Sequence, residues 1–559
     1  MDRGQTESSW GRGGTSQGSL SPGRDGFIPL PIGRLPNPFG LRPDPFGLRP
    51  DPFGLRPVSI RVRPDPIRVR PDPIYLRPAP LRVRPGLFCV GPGLAALQDV
   101  SKQYPLTLPL SILLLILIAG CAQLGGPQSS TASNDPATTR AIEAVRQAAR
   151  PLTGRPEDYD PLLELIGESR FVLLGEATHG TQEFYEERAR ITRRLIQEEG
   201  FSAIAIEGDW PEADRVNRYI RGLGDDPGAE QALASFTDEF PDWTWANTAM
   251  RDLVVWLREH NARLPAERRV GFYGLDLYSL WPSAQAVVEL LREVDPQAAQ
   301  RADQRYYCFE GYRKDLHEYG RTAATHPNRS CQRRAVEEVR ELEALVQAEA
   351  RQIDAARRER LFGALQNARV VQGGEEYFRL LYRGGLSSWN VRDRHMANTL
   401  DELAAFLGAQ GKPAKVVVWA HNTHLGDARL THMAAEGELN VGQLMRQRHD
   451  GEAVLVGFTT YTGTVMAASQ WGDRPRIKEI RPSIPGSYSA LFHASGVSDF
   501  LLLLRDQPVA RDLPGPRLER AIGVVYLPRR EREHYFPARL PQQFDAVIHF
   551  DETQAVEPL

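Results

Sequence analysis

At 559 residues, 41% hydrophobic and 25% charged, the chain has the composition of a globular protein and room for more than one domain. Its 68 Lys+Arg and 71 Asp+Glu give a net charge of −3; residues 1–121 hold 15 basic and 8 acidic groups, so the remainder carries 53 against 63, which excludes a nucleic-acid binder. The four cysteines, Cys89, Cys121, Cys308 and Cys331, form no CxxC or Cys/His spacing, which argues against a structural zinc.

In chain order, residues 37–85 are seven consecutive heptapeptides from NPFGLRP to APLRVRP. Proline recurs too often for a helix or central strand, so residues 1–99 read as extended or disordered, with a Pro-rich partner-binding linker as the functional alternative. SKQYPLTLPLSILLLILIAGC then places Lys102 ahead of an apolar run and resembles a lipoprotein signal (residues 100–121) ending in a lipobox at Cys121. The run is shorter than the ~20 residues of a membrane span, so lipidation of Cys121 is preferred over a transmembrane helix. The next methionine after Met1 is Met250, and a start at a non-Met codon near Val100 would put the signal at the amino terminus, leaving the repeat as translated upstream DNA. Residues 122–137 would be a flexible tether, and the protein is expected in the cell envelope, lipid-anchored to a membrane and facing the periplasm or exterior.

Residues 138–559 read as one α/β domain with a mostly parallel sheet flanked by helices. TTRAIEAVRQAAR and YDPLLELIG have helical spacing and lead into FVLL, a buried strand over 171–174, followed by a turn at Gly175 and a helix over 181–198. SAIAIEGDW, VGFYGLDLY and KVVVWAHNTHLGD repeat the pattern, each an apolar strand ending in polar groups. Between the last two, roughly residues 281–410, Ala/Glu/Arg/Leu-rich helices form an insertion expected to cover the cleft. Cys308 and Cys331 fall within it and could form a disulfide if the domain is exported. EAVLVGFTTYTG, DFLLLL, RAIGVVYLP and FDAVIHF read as further strands.

In an open α/β sheet, ligands bind beyond the carboxyl ends of the strands. The groups standing there are Glu176 and His179, Glu207 and Asp209, Asp276 and Tyr278, and His421, His424 and Asp427; a parallel sheet would bring them to one cleft. No GxSxG elbow and no strand-end serine beside a histidine occur, and both domain cysteines lie in the insertion, which leaves a histidine that deprotonates water. Asp209, Asp276, Tyr278 and Asp427 are substrate-binding candidates by strand-end placement alone.

GEATHGTQEFYEERARITRRLI, IEGDWPEADRVNRYIRG, FYGLDLYSLWPS, WNVRDRHMANTL and VVVWAHNTHLGD resemble, in order, the blocks of the erythromycin esterase family. The resemblance implies a hydrolase opening an ester or macrolactone, with His179 as general base. It also implies site roles for Glu176, Glu207, His421 and His424, and for Arg188 in holding a carbonyl or anionic intermediate. WNVRDRH brings in Trp389, Arg392, Asp393 and His395, of which Arg392 is a substrate-binding candidate.

No cofactor is expected, and the partners are a small-molecule ester or lactone and a membrane reached through the anchor. Two alternatives remain: a metal-dependent hydrolase with zinc or manganese on Glu176, His179, Glu207, His421 and His424, and a non-catalytic envelope lipoprotein binding a glycolipid or polysaccharide.

Overall fold

The computed structural model describes residues 135–559 except 238–239, 350–353, 384–386, 410 and 514. The heptapeptide repeat, the signal-like segment and Cys121 lie outside the described residues. The strands are β1 (Arg150–Pro151), β2 (Phe171–Leu174), β3 (Ala203–Asp209), β4 (Gly271–Asp276), β5 (Val416–Trp419), β6 (Ala453–Ala467), β7 (Arg476–Ile480), β8 (Phe500–Leu503), β9 (Arg517–Arg520), β10 (Tyr535–Ala538) and β11 (Ala546–Thr553).

Nine of them form one sheet in the order β1-β8-β11-β6-β2-β5-β3-β4, with β7 paired to the far end of β6, while β9 and β10 pair separately. The six strands from β11 to β4 are parallel; β8, β1 and β7 join antiparallel. Every residue of β2 and β5 is buried, as expected for parallel strands covered on both faces. Strand alternation divides the core: Val172 and Leu174 pack with Phe184, Leu195 and Leu257 on one face, Phe171 and Leu173 with Val145, Met396 and Leu403 on the other.

The step that matters for function is the placement of β5 between β2 and β3. Leu174 lies beside Trp419, and Trp419 beside Ile206, so the carboxyl ends of β2, β5, β3 and β4 stand side by side. The expected helix after β2 runs Gln182–Glu198, and Trp210–Arg221 follows β3 with proline in its first turn.

The insertion is helical as read, from Leu280–Val294 to Ser387–Gly408, and has a core of its own that includes Val287, Ala302, Tyr319 and Val371. Cys308 and Cys331 are disulfide-bonded. RAIGVVYLP departs from the expectation of a strand: β9 ends at Arg520, and Ile522 and Val525 make only isolated bridges, to Thr178 and Ala468. Among the described residues the segment makes no ladder beyond these two bridges, and Ala521, Gly523 and Val524 wall the central cavity.

Glu519, on β9, is a buried carboxyl with no hydrogen bond of good geometry, and the Gln543 and Asn422 amides beside it interact only weakly. Burial pushes it up to about 8, partly offset by Gln543 and Asn422. A carboxyl raised in the folded state stabilises below its unfolded value and loses that contribution as pH rises through the folded one. Glu519→Gln should therefore gain thermal stability relative to wild type as pH is raised from about 5 to about 9; parallel melting temperatures across that range would show that the carboxyl does not titrate there.

Candidate active site

The turn after β2 carries the first pair. His179 Nδ1 donates to Glu176 Oε1 at 2.8 Å, and Glu176 Oε2 accepts from Arg188 Nη2 at 2.7 Å. Glu176 and Arg188 are fully buried, the guanidinium lying 4.6 Å from the Tyr185 ring centre and 4.7 Å from that of Trp419. With Nδ1 engaged, Nε2 is the nitrogen His179 presents to the cavity it lines. The Tyr185 hydroxyl donates to the His179 carbonyl at 3.0 Å and steadies the turn.

The second group is built on β3, β4, the turn after β5 and the last helix of the insertion. Arg392, from Ser387–Gly408, donates through Nε and Nη2 to Asp276 Oδ1 and Oδ2 at 2.9 and 2.6 Å, and through Nη2 to Glu207 Oε1 at 2.7 Å. Glu207 Oε2 accepts the His421 backbone N–H at 2.7 Å. Burial would raise Glu207, but the charges of His424 and Arg392 hold it well below the usual carboxylate range.

His424 Nδ1 donates to Asp393 Oδ1 at 2.9 Å, Trp389 stacks on its ring at 4.5 Å, and its Nε2 stands 2.9 Å from Arg392 Nη1 and 3.2 Å from Glu207 Oε1. Burial alone would lower His424, but Asp393 and Glu207 outweigh it and raise it to about 9. The imidazolium then donates to Asp393 and forms an ion pair with Glu207.

His421 is its opposite. Burial and the nearby His179, whose ring centre is 4.8 Å away, push it down to about 3, so it stays neutral. It caps the short helix Asn422–Leu425, with Nδ1 accepting from the Thr423 N–H at 3.3 Å and 2.8 Å from Thr423 Oγ1. That leaves the proton on Nε2, which meets no partner in hydrogen-bond geometry.

These groups line a cavity of about 680 Å³. Phe236, Phe240, Tyr278, Trp389 and Trp471 add aromatic walls, and Arg313 to His317 of the insertion close one side. His179, Glu207, Asp209, Asp276, Tyr278, Arg392, His421 and His424 all reach the cavity. Three expected residues do not. Glu176 and Arg188 lie behind His179, so Arg188 positions Glu176 rather than meeting a carbonyl. Asp427 is buried among Arg429 and Arg446 and accepts the Arg429 N–H, a structural role. Asp209 accepts the Tyr278 N–H at 2.7 Å, fixing the turn after β4.

Residues 389, 392, 393 and 396 share one helical face, the signal that joins Trp389, Arg392 and Asp393 in a single role. Thr423, Phe240, Trp471 and the 313–317 wall carry no such pattern. Among the described residues, no group of three or more His, Cys, Asp or Glu is placed to hold a metal.

The fold and cleft together define an α/β protein with a carboxylate-held histidine at the rim of a parallel sheet. The erythromycin esterase family pattern matches residues 196–553, and the chain belongs to that family. Erythromycin esterase type II of Escherichia coli is 23% identical over 421 residues, covering 72% of this chain and 94% of the relative. A solved succinoglycan biosynthesis protein superposes with a TM-score of 0.62 at 22% identity, over 76% of this chain and 100% of that one. An erythromycin esterase mutant in its open conformation gives 0.53 at 16% identity, over 71% and 93%. Family membership points to a hydrolase.

Arg392→Ala would leave Glu207 and Asp276 buried without their guanidinium, and should cost about 3–5 kcal/mol of stability in denaturant titration. Arg392→Lys should not restore it, because an ammonium cannot reproduce the two-pronged contact with Asp276.

Proposed function

We propose that the protein hydrolyses an ester, a macrolactone among the candidates, by general-base activation of water at His179. The observation that carries this reading is the Glu176–His179 hydrogen bond, which leaves Nε2 with its lone pair at the cavity. Water between Nε2 and the ester carbon gives its proton to Nε2 as its oxygen bonds to carbon. The carbonyl oxygen takes the negative charge, and Glu176 stabilises the imidazolium through Nδ1–H. Collapse breaks the carbon–alkoxy bond, and the alkoxide leaves with the proton from Nε2, giving acid and alcohol.

The oxyanion donor in this reading is the neutral His421 Nε2–H; Arg392 Nη1, which contacts His424 Nε2, adds positive charge beside it. A neutral imidazole polarises a carbonyl without trading its proton away, and the contact of His421 Nδ1 with the Thr423 N–H keeps it in that form. Glu207 orients Arg392 and the His421 backbone rather than His179.

A metal-free reaction is preferred because Glu176 and Glu207 are committed to Arg188 and Arg392. The aromatic walls and the cavity volume suit a medium-sized ring-bearing substrate, in keeping with the relative named erythromycin esterase type II. An acyl anchor at Cys121 remains part of the proposal; radiolabelled fatty acid should enter the wild type and be absent from Cys121→Ser.

His179→Ala should lose about 10²–10⁴-fold in hydrolysis rate with an unchanged melting temperature. The assay is gain of one water by mass spectrometry across macrolides, simpler lactones and small esters, and full activity of the variant would remove the base. Activity should also survive exhaustive chelation, and loss restored by zinc or manganese would favour the metal-dependent alternative.

A further inference from the structure

The insertion contributes one cavity wall, and a single stretch of chain supplies most of it. Arg313 to His317 face the same space as His179 and Glu207. Between Tyr307 and Asp315 only Phe309 is buried, so this stretch has little core of its own. Its position is set by what flanks it.

Cys308 and Cys331 close a loop of sequence separation 23 that contains the wall. The far end is fixed to the helix Ala355–Leu381 through one buried carboxylate. Glu375 Oε1 accepts from the Tyr319 hydroxyl and from Ser330 Oγ, each at 2.7 Å, and Tyr319 itself accepts the Cys331 backbone N–H at 2.9 Å. Arg379 balances the charge of Glu375 from the next turn, at 3.0 Å. Contact between the helices is close: a Cβ on Gly320 would stand 2.3 Å from the Phe378 carbonyl oxygen, and the Phe378 side chain also lines the cavity. The His317 ring meets Phe378 edge-on at 5.5 Å.

We propose that the Cys308–Cys331 disulfide and Glu375 form a latch that holds the 313–317 wall over the catalytic cleft, setting the affinity for substrates large enough to touch it. The proposal rests on the hydrolase reading for its kinetic consequence and on the insertion alone for its structural one. Both cysteines and Glu375 are positioning residues. Reduction of the disulfide adds two electrons and two protons from a thiol reductant, which is itself oxidised, and removes the covalent tie across the loop, leaving the wall held by Tyr319 with Glu375 and by the packing of Phe309 and Tyr312 on Tyr319. A ligand filling the cavity loses contacts that a small ester never makes.

The test compares the full chain with Cys308→Ser/Cys331→Ser in non-reducing buffer, using erythromycin as the large lactone and 4-nitrophenyl acetate as the small ester. Hydrogen exchange over 307–331 should quicken while β2 to β5 stay protected. The KM for erythromycin should rise roughly tenfold with kcat within about threefold, and 4-nitrophenyl acetate turnover should hold within about threefold. Glu375→Gln, which keeps the disulfide, should shift the same parameters in the same direction. If the double variant does not fold, wild type reduced in the folded state, its thiols counted by intact mass, replaces it. Unchanged exchange over 307–331, or equal effects on both esters, overturns the latch. Should the oxidised wild type hydrolyse neither ester, the hydrolase reading fails on its own, and the exchange data alone decide the latch.

Discussion

The cleft depends on one guanidinium. Arg392 arrives from the insertion and satisfies Glu207 at the end of β3 and Asp276 at the end of β4 within a few ångströms. Desolvation of a lone charge at that depth would cost several kcal/mol, and the guanidinium gives each buried carboxylate a fixed partner. The ion cluster therefore does more than neutralise charge. It fastens the insertion to the sheet at the place where chemistry is proposed, so forming the cavity and docking the insertion's last helix are one event.

Two arginines show where sequence reading reaches and where it stops. Arg188 and Arg392 both belong to family-like blocks, and both were expected to face substrate. From Glu176 to Arg188 the chain passes through a turn into a helix, and that helix turns its inner face to the sheet, so the guanidinium ends between Tyr185 and Trp419 behind the histidine. Nothing in the spacing separates that outcome from one facing the cleft. The strands themselves were legible because FVLL and VVVW are unbroken apolar runs. Their order was not: β5 enters between β2 and β3 after the long insertion, a non-local pairing that no window of sequence contains. RAIGVVYLP has the composition of a strand, yet past Arg520 it makes only isolated bridges among the described residues, and Ala521, Gly523 and Val524 become cavity wall.

Convergence of strand-end groups followed from parallelism alone, whereas the division of labour among them did not. Glu176 and Glu207 read alike in sequence, each a glutamate ending a strand. Glu176 takes the guanidinium of the helix that follows its own strand together with a hydrogen bond from His179, whereas Glu207 takes a guanidinium from the insertion, an ion pair with His424 and a backbone N–H. The difference arises from which helix packs against each strand end, a tertiary fact. Asp427 marks the same limit from the other side, since it follows a strand as closely as the others and is drawn instead to Arg429 and Arg446.

The three histidines at the cleft are set apart by what surrounds them. His424 lies between Asp393 and Glu207 and is held charged, while His421 lacks such a pair and is held neutral by burial. His179 stands 4.8 Å from His421 across the cavity floor, and the charge of either opposes the charge of the other. After burial, the charge of His179 is the next cause that keeps His421 neutral. Glu176 is bonded to the His179 ring while no carboxylate side chain is bonded to the His421 ring, so the two neighbouring imidazoles meet different partners. The proposed division of roles, with His179 as the base and His421 as a donor toward an oxyanion, rests on that asymmetry of partners.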